Sequence, residues 1–500
     1  MDSYDFLIIL FKTLLISVTL SCLVRKLRDF KKAPPGPWGL PLVGMLRSLS
    51  KTNSILQMVE FKKKYGKIFS MKVGYFDTVV ISDYKLIIEA LKKDEFQGRP
   101  DFEVWQIRNG GEKNRGILFS DGVKSWHEQR RFALRNLRDF GFGKESMEGM
   151  MLHEVDELVK LLKEKEGEAF SLRNHFNCSV FNSLWYIVSG ERFELDDPKF
   201  QKFIGLFSGY LDKLPLFSPS HLYPWPAKYN VARRGLWKQY QIANETVLSH
   251  IDAVIDHHVK TYEAEVNRDF VDVYLHQHFG NNSEGTSFST KEGLSHLRIT
   301  LMDLFAAGTE TSSTTLHWAV FFMCKYPETQ KKLQEEIDNV IGKAPVSRED
   351  RTKLPYLEAF TNEVHRRASL IPLSVYHKVL QDCEFAGYHF KKGTIVYPNI
   401  YDAHHDKDFW GDPENFRPER FLNSEGTKTV SKEALMPFST GKRICLGETL
   451  ARDTLFYFIT GIVQKFSFQL DPSSDDVDID PPKPNFIKGP YNFQVVLKSR

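Results

Sequence analysis

Apolar positions along this chain change their period several times, and each change marks an element. Phe6 to Val24 is a nearly unbroken apolar run of 19 residues, about 28 Å long as a helix and enough to cross a bilayer. Lys12 interrupts it, at a cost of roughly 2.5 kcal/mol at mid-membrane. Arg25, Lys26, Arg28, Lys31 and Lys32 follow the run, so the cation bias puts the C-terminal bulk on the cytosolic side. Basic residues after the run rather than before it favour a retained signal anchor over a cleaved signal peptide. Ala33 to Pro41 then carries Pro34, Pro35, Pro37 and Pro41, which cannot be helical and predict a stiff, extended spacer.

From Ile68 the period drops to two. Phe69, Met71 and Val73 alternate with polar residues, and Thr78–Ile81 follows a turn at 74–77, which predicts a β-hairpin. Most of 84–340 has helical spacing, broken near Pro215–Pro226 and Asn281–Thr290. Lys124–Asn136 and His296–Lys325 are predicted helices, the second apolar on nearly all sides and therefore buried. Short β signals return at Glu384–Pro398 and Tyr491–Leu497. The pattern predicts a mainly α fold with a minor β-sheet region, preceded by an N-terminal transmembrane helix. Residues 1–25 read as a membrane anchor, 26–44 as a basic and proline-rich hinge, and 45–500 as one catalytic-size unit, since no Gly/Ser or Pro-rich linker divides the body.

Composition sharpens this only a little. The 42% hydrophobic content and 39 Phe support a large core, and a net charge of +3 excludes an electrostatic argument for nucleic acid. Five scattered cysteines without a CxxC pair fit a reducing compartment rather than a disulfide framework.

One of those cysteines sits in a distinctive setting. In Phe438–Glu448, Cys445 lies between Gly441 and Gly447, two residues after Arg443 and just before a helical pattern. A sulfur near a helix N-terminus is expected to favour the thiolate, a form suited to axial ligation of haem iron; a lone cysteine is otherwise a small buried hydrophobe. In the long apolar helix, Gly308 costs about 0.5–1 kcal/mol relative to Ala, and room for a ligand beside Ala307 and Gly308 would offset it. Thr311 shares a face with Ala307 and can bond a backbone carbonyl of the preceding turn, with Glu310 beside it. Glu363 and Arg366 form an E-x-x-R pair, Arg420 follows in a Pro-bounded loop, and Trp126 and Arg130 form W-x-x-x-R on the 124–136 helix.

Phe438, Gly441, Arg443, Cys445 and Gly447 together match F-x-x-G-x-R-x-C-x-G, and Ala307–Thr311 matches A-G-x-[DE]-T. With these motifs the chain resembles the cytochrome P-450 family of haem-thiolate monooxygenases, over essentially residues 34–500, and the proline run resembles the hinge of its microsomal members. The resemblance implies haem b (iron protoporphyrin IX) ligated by Cys445, with Thr311 and Glu310 managing proton delivery. It implies propionate contacts from Trp126, Arg130 and Arg443, with Arg99 and His377 in similar positions, and a structural network of Glu363, Arg366 and Arg420. It implies insertion of one oxygen atom from O2 into a lipophilic small molecule (xenobiotic, steroid, fatty acid or isoprenoid) that meets Phe102, Trp105, Phe305, Ala307, Leu373 and Phe486. No G-x-G-x-x-G follows a strand, so electrons are expected from NADPH through a membrane-bound flavoprotein reductase. Arg130, Arg131, Arg135 and Lys442 are candidates for its docking face, and the anchor implies the endoplasmic reticulum membrane with the body in the cytosol. Rival readings are a haem-thiolate isomerase or dehydratase working without external electrons and a non-catalytic haem-binding membrane protein; the intact acid–alcohol pair stands against the former.

Overall fold

In the computed structural model the alternating stretch folds as the expected hairpin. The structure describes residue 13 and residues 32–500 except 41–42, 51–52, 140–144, 212–216, 218–230, 282, 290–291, 475–478, 480–484 and 491–492. Strands β1 (Ile68–Val73) and β2 (Phe76–Ile81) pair antiparallel, with Ile68 opposite Ile81 and Val73 opposite Phe76. Phe69, Met71 and Val73 are buried on one face. Later come β3 (His377–Lys378), the separate pair β4 (Cys383–Phe385) and β5 (Tyr388–Phe390), and β6 (Ile395–Pro398). Strand β6 joins β2 in parallel and β3 antiparallel, giving the order β1-β2-β6-β3. A last ribbon pairs β7 (Phe466–Leu470) with β8 (Val495–Ser499).

The candidate anchor, 6–24, lies outside the described residues apart from residue 13, and among the described residues no helix is long and apolar enough to cross a membrane. The proline run is extended, as its fixed φ requires, but it is not a free spacer. The Ser70 amide donates to the Pro35 carbonyl (2.8 Å) and the Ser70 hydroxyl to the Pro34 carbonyl (2.6 Å). Gly36 lies so close over β1 that a Cβ there would overlap the Ser70 carbonyl. The hinge is therefore docked on the edge of the sheet.

Seven helices position the site: α1 (Tyr84–Lys92), α2 (Lys124–Asp139), α3 (Glu145–Lys163), α4 (Arg173–Ser189), α5 (Gly293–Lys325), α6 (Pro355–Ala368) and α7 (Glu448–Lys465). The start of α1 is set by Asp83, whose carboxylate accepts from the Lys85 (3.0 Å) and Leu86 (3.1 Å) amides. The 33 residues of α5 make it about 50 Å long. It is buried on most sides, as its unbroken apolarity predicts, and packs along α4 and α7 while α3 covers both. Glycines set two of these crossings: a Cβ on Gly308 of α5 would strike the Leu184 side chain of α4, and one on Gly461 of α7 would strike Val155 of α3. The core around them, including Phe181, Trp185, Phe305, Trp318 and Phe458, is essentially closed to solvent. Each such side chain contributes roughly 1.5–3 kcal/mol of transfer free energy.

The Glu363–Arg366–Arg420 network forms as expected. Arg366 makes a two-pronged contact with Glu363 (2.7 and 2.8 Å), and Arg420 reaches the same carboxylate at 3.1 Å. Arg366 also donates to the His404 carbonyl (2.9 Å), while the His404 ring accepts from the Met436 amide (3.0 Å). Helix α6 is thereby linked, bond by bond, to the segment that leads into the cysteine loop.

Candidate active site

The loop from Phe438 to Gly447 is shaped by backbone conformations that few residues adopt. Ser439 has φ +62° and Gly441 φ +74°, and a Cβ on Gly441 would overlap the Leu91 carbonyl at the end of α1. Gly441 is thus required by the loop rather than by the cavity. Gly441→Ala is expected to lower the thermal midpoint and the yield of cofactor-loaded protein together; thermal unfolding of freshly purified protein that matches wild type would contradict this. The Cys445 amide donates to the Phe438 carbonyl (2.9 Å), closing the loop and turning the sulfur inward. Cys445 keeps free surface only because an internal cavity opens above it; on its other sides protein surrounds it. Burial pushes the thiol above its ordinary pKa, outweighing the Gly447 amide and the Arg130 charge, which pull the other way. The helix N-terminus expected from sequence to favour thiolate is present, starting at Glu448, but is not sufficient alone. Thiolate at this position calls for a bound cation such as a metal ion.

The cavity has a volume of about 330 Å³. Cys445, Phe438 and Gly447 lie along one side; Ala306, Ala307, Gly308 and Thr311 of α5 line another. Arg99, Arg130 and Arg443 complete it. Arg99 donates to the carbonyls of Leu118 (3.1 Å), Val375 (3.0 Å) and Tyr376 (2.9 Å). Arg443 donates to Gln97 (3.0 Å), Ile117 (3.3 Å) and Ser120 (2.7 Å), and Arg130 to Ile444. Burial and mutual repulsion push Arg99 down to about 9 and Arg443 to about 7; Asp121 opposes this only partly, because it also pairs with Lys378 at 2.9 Å. Three crowded guanidiniums without matching carboxylates are the signature of a wall built for an anion. A flat ligand carrying carboxylates at one edge and a metal at its centre would answer both this wall and the inward-facing sulfur, so the residues fit an iron porphyrin.

Trp126 and His377 stand one layer back. Trp126 donates its N–H to the Ile117 carbonyl (3.0 Å) and lies 3.7 Å beneath the Arg443 guanidinium. His377 shares a hydrogen bond between Nδ1 and the Phe96 carbonyl (2.7 Å), and burial beside Arg99 keeps it neutral. Neither lines the cavity; Trp126 backs Arg443, which does.

Thr311 faces the cavity and donates its hydroxyl to the Ala307 carbonyl (2.6 Å). Glu310 does not face it. One residue is 100° of helix rotation, so Glu310 points instead to α4, where Arg173 meets its carboxylate at 2.7 Å. The expectation of an acid and an alcohol side by side in the cavity is corrected accordingly. The same rotation corrects Phe305, which packs on Phe181, Trp185 and Phe203 while its neighbour Leu304 lines the cavity. Leu373 is fully buried between cavity-lining Ile371 and Val375. Phe102, Trp105, Ala307 and Phe486 do line it. Sequence reasoning missed Asp303, Leu304, Arg108 and Phe119. For the first two the signal was available: they precede Ala307 by four and three residues, on the face that Ala307 and Thr311 define.

A helical body with small sheets, a single inward cysteine and an anion-binding wall define a haem-thiolate protein. The chain belongs to the cytochrome P450 family, whose profile matches residues 34–497, and is a monooxygenase of that class. It is 36% identical to Cytochrome P450 2B2 of Rattus norvegicus over 97% of this chain and 99% of that one. It is 39% identical to Cytochrome P450 2J2 of Homo sapiens over 89% of this chain and 87% of the relative. With Cytochrome P450 2L1 of Panulirus argus the identity is 36%, over 93% and 95%.

Proposed function

We propose that the protein inserts one oxygen atom from O2 into a lipophilic small molecule, drawing electrons from NADPH through a flavoprotein reductase at the endoplasmic reticulum membrane. The observation that carries this reading is the cavity above Cys445, walled by Phe102, Trp105, Phe119, Leu304, Ile371 and Phe486. Apolar walls select ligands by the water they shed and discriminate weakly, about 1–3 kcal/mol per methylene. Haem, when bound, supplies oxygen activation; Cys445 would hold its iron, and Arg99, Arg130 and Arg443 its propionates. Everything else falls to the chain. The α5 face presents Ala306, Ala307 and Gly308 to the ligand without bulk, and the Thr311 hydroxyl is the group placed to hold or pass a proton. Glu310, paired with Arg173, is coupled to Thr311 only along the helix. Helix α2 exposes Arg131, Arg135 and Arg138, a basic face suited to an acidic reductase surface, whereas Lys442 is already paired with Asp94.

Substrate-stimulated NADPH consumption by reconstituted protein and reductase, with oxygenated product across a panel of lipophilic compounds, is the expected result; no consumption with any of them overturns the reading. Thr311→Ala is expected to keep the cofactor yet release more of the reducing equivalents as hydrogen peroxide, lowering product per NADPH several-fold. Unchanged coupling would remove Thr311 from proton handling.

A further inference from the structure

Away from the cavity, the apolar stripe of helix Val231–Lys260 ends on a titratable residue. Val247, Ile251, Val254 and His258 recur at three- and four-residue spacing and are all buried, so the face that packs this helix on the core closes with an imidazole. The connection 261–269 then leads into helix Phe270–Phe279, whose N-cap is Asp269. The His258 and Asp269 side chains, 4% and 2% exposed, meet through Nε2 and Oδ2 at 2.8 Å. The other ring nitrogen, Nδ1, lies 2.8 Å from the Val254 carbonyl. Asp269 also accepts from the Asp272 amide through Oδ1 (3.0 Å), as an N-cap carboxylate does. Both partners of the ring, a carbonyl and a carboxylate, can only accept at neutral pH, so the two bonds together require the imidazolium form. Neutral imidazole has a single N–H and must set a lone pair against one of these oxygens. Burial pulls the His258 pKa down, but the Asp269 hydrogen bond and charge, helped by the Val254 bond and the Asp272 charge, outweigh it and hold it above its ordinary value.

The same connection has two other fasteners, and neither depends on a titrating proton. Arg268 donates to Asp272 (2.6 and 2.7 Å) and to the Thr261 hydroxyl (2.9 Å), and a guanidinium keeps its charge. His276 places Nε2 on the Val266 carbonyl (2.8 Å) and Nδ1 on the Tyr262 hydroxyl (3.0 Å); a hydroxyl can donate or accept, so both bonds survive in either form of the ring. His257, beside His258 in sequence, is exposed, with its ring 5.9 Å away and edge-on. At the end of α4, Gly190 approaches the Asp269 carboxylate without a side chain, and on the α5 side Arg298 is taken up by Asp252 (2.5 and 2.8 Å). We infer that His258 and Asp269 form a pH-sensitive latch: with His258 protonated it fastens the end of helix Val231–Lys260 to the start of helix Phe270–Phe279, and on loss of that proton the end is released as far back as the Asp252–Arg298 pair. Helix Val231–Lys260 packs on α5, which lines the cavity, so the packing behind the site is firmer on the acidic side of neutrality. The sign follows from linkage. A base whose pKa is raised by folding contributes stability that is complete below its free value, about 6.5 for histidine, and is lost as the pH rises through the raised value.

Hydrogen exchange of the full-length, haem-loaded protein, read by mass spectrometry, tests this without any variant. From about pH 6 to about pH 8, and after correction for the intrinsic exchange rate, protection of the backbone amides of 254–274 is expected to fall about tenfold, while that of 244–251 stays constant. The slow exchange of the His258 ring C–H, followed in the same digests, should titrate with a midpoint above about 6.5. Constant protection of 254–274 across this range, or a ring midpoint at or below about 6.5, overturns the latch. Asp269→Asn keeps an N-cap oxygen and removes the charge. In this variant 254–274 should be less protected than wild type at the acidic end and lose its pH dependence; a pH dependence equal to that of wild type assigns the effect to another group and also overturns the latch. None of these readouts uses turnover or the carbon-monoxide band, so their outcome is separate from that of the proposed function.

Discussion

Cys445→Ala is expected to abolish the red-shifted carbon-monoxide band of the reduced protein and all detectable oxygenation. The sulfur points into the cavity from a loop whose backbone is fixed independently, by the Phe438–Cys445 hydrogen bond and the packing of Gly441 on α1. Removing one side-chain atom leaves that backbone intact, so folding is preserved while the only cysteine lining the cavity among the described residues is lost. Burial holds the free thiol above its ordinary pKa, and a metal ion held by the sulfur would favour the thiolate. Alanine offers no such ligand. The measurement is the reduced carbon-monoxide difference spectrum beside far-ultraviolet circular dichroism; an unaltered band in Cys445→Ala would assign the iron to another residue.

Glu363→Ala is expected to destabilise the protein by about 3–5 kcal/mol, the largest stability effect of any substitution considered. Glu363 and Arg366 have no exposed side-chain surface, and Arg420 is 4% exposed. Exposed ion pairs such as Lys63–Glu60 contribute at most about 1 kcal/mol, because water and salt screen them. Here removal of one carboxylate leaves the fully buried Arg366 without its counter-ion and Arg420 with Asp412 alone, at 3.1 Å. The loss also frees the link through His404 to Met436, so a drop in haem retention should accompany the drop in stability. Urea unfolding of wild type and variant measures the first effect, and haem content after gel filtration the second. A change in stability below about 1 kcal/mol would show that the network is no more than an incidental cluster.

Much of this protein was legible because its signals are local. The alternation at 68–81 specified a hairpin, and the apolarity of 296–325 specified a buried helix, since a strand face or helix side that excludes water must do so residue by residue. The cysteine motif was legible for the same reason: Gly441 answers to a left-handed backbone angle within the loop. Side-chain direction on α5 was only half used. Ala307 and Thr311 set the phase, and extending it would have chosen Asp303 and Leu304 over Phe305 and separated Glu310 from Thr311.

The covalent order of the chain by itself determined the elements, the buried helix, the single cysteine presented by a glycine-flanked loop and the pairing of Glu363 with Arg366, because each depends on neighbours within a few residues. Only the tertiary structure decided which charges meet. Arg99, Arg130 and Arg443 come from three distant segments, as do Arg108 and Asp303, and Arg173 draws Glu310 away from the cavity across 137 positions of sequence. Electrostatic partners are chosen by distance and burial in space, and neither is encoded in the local period of the chain.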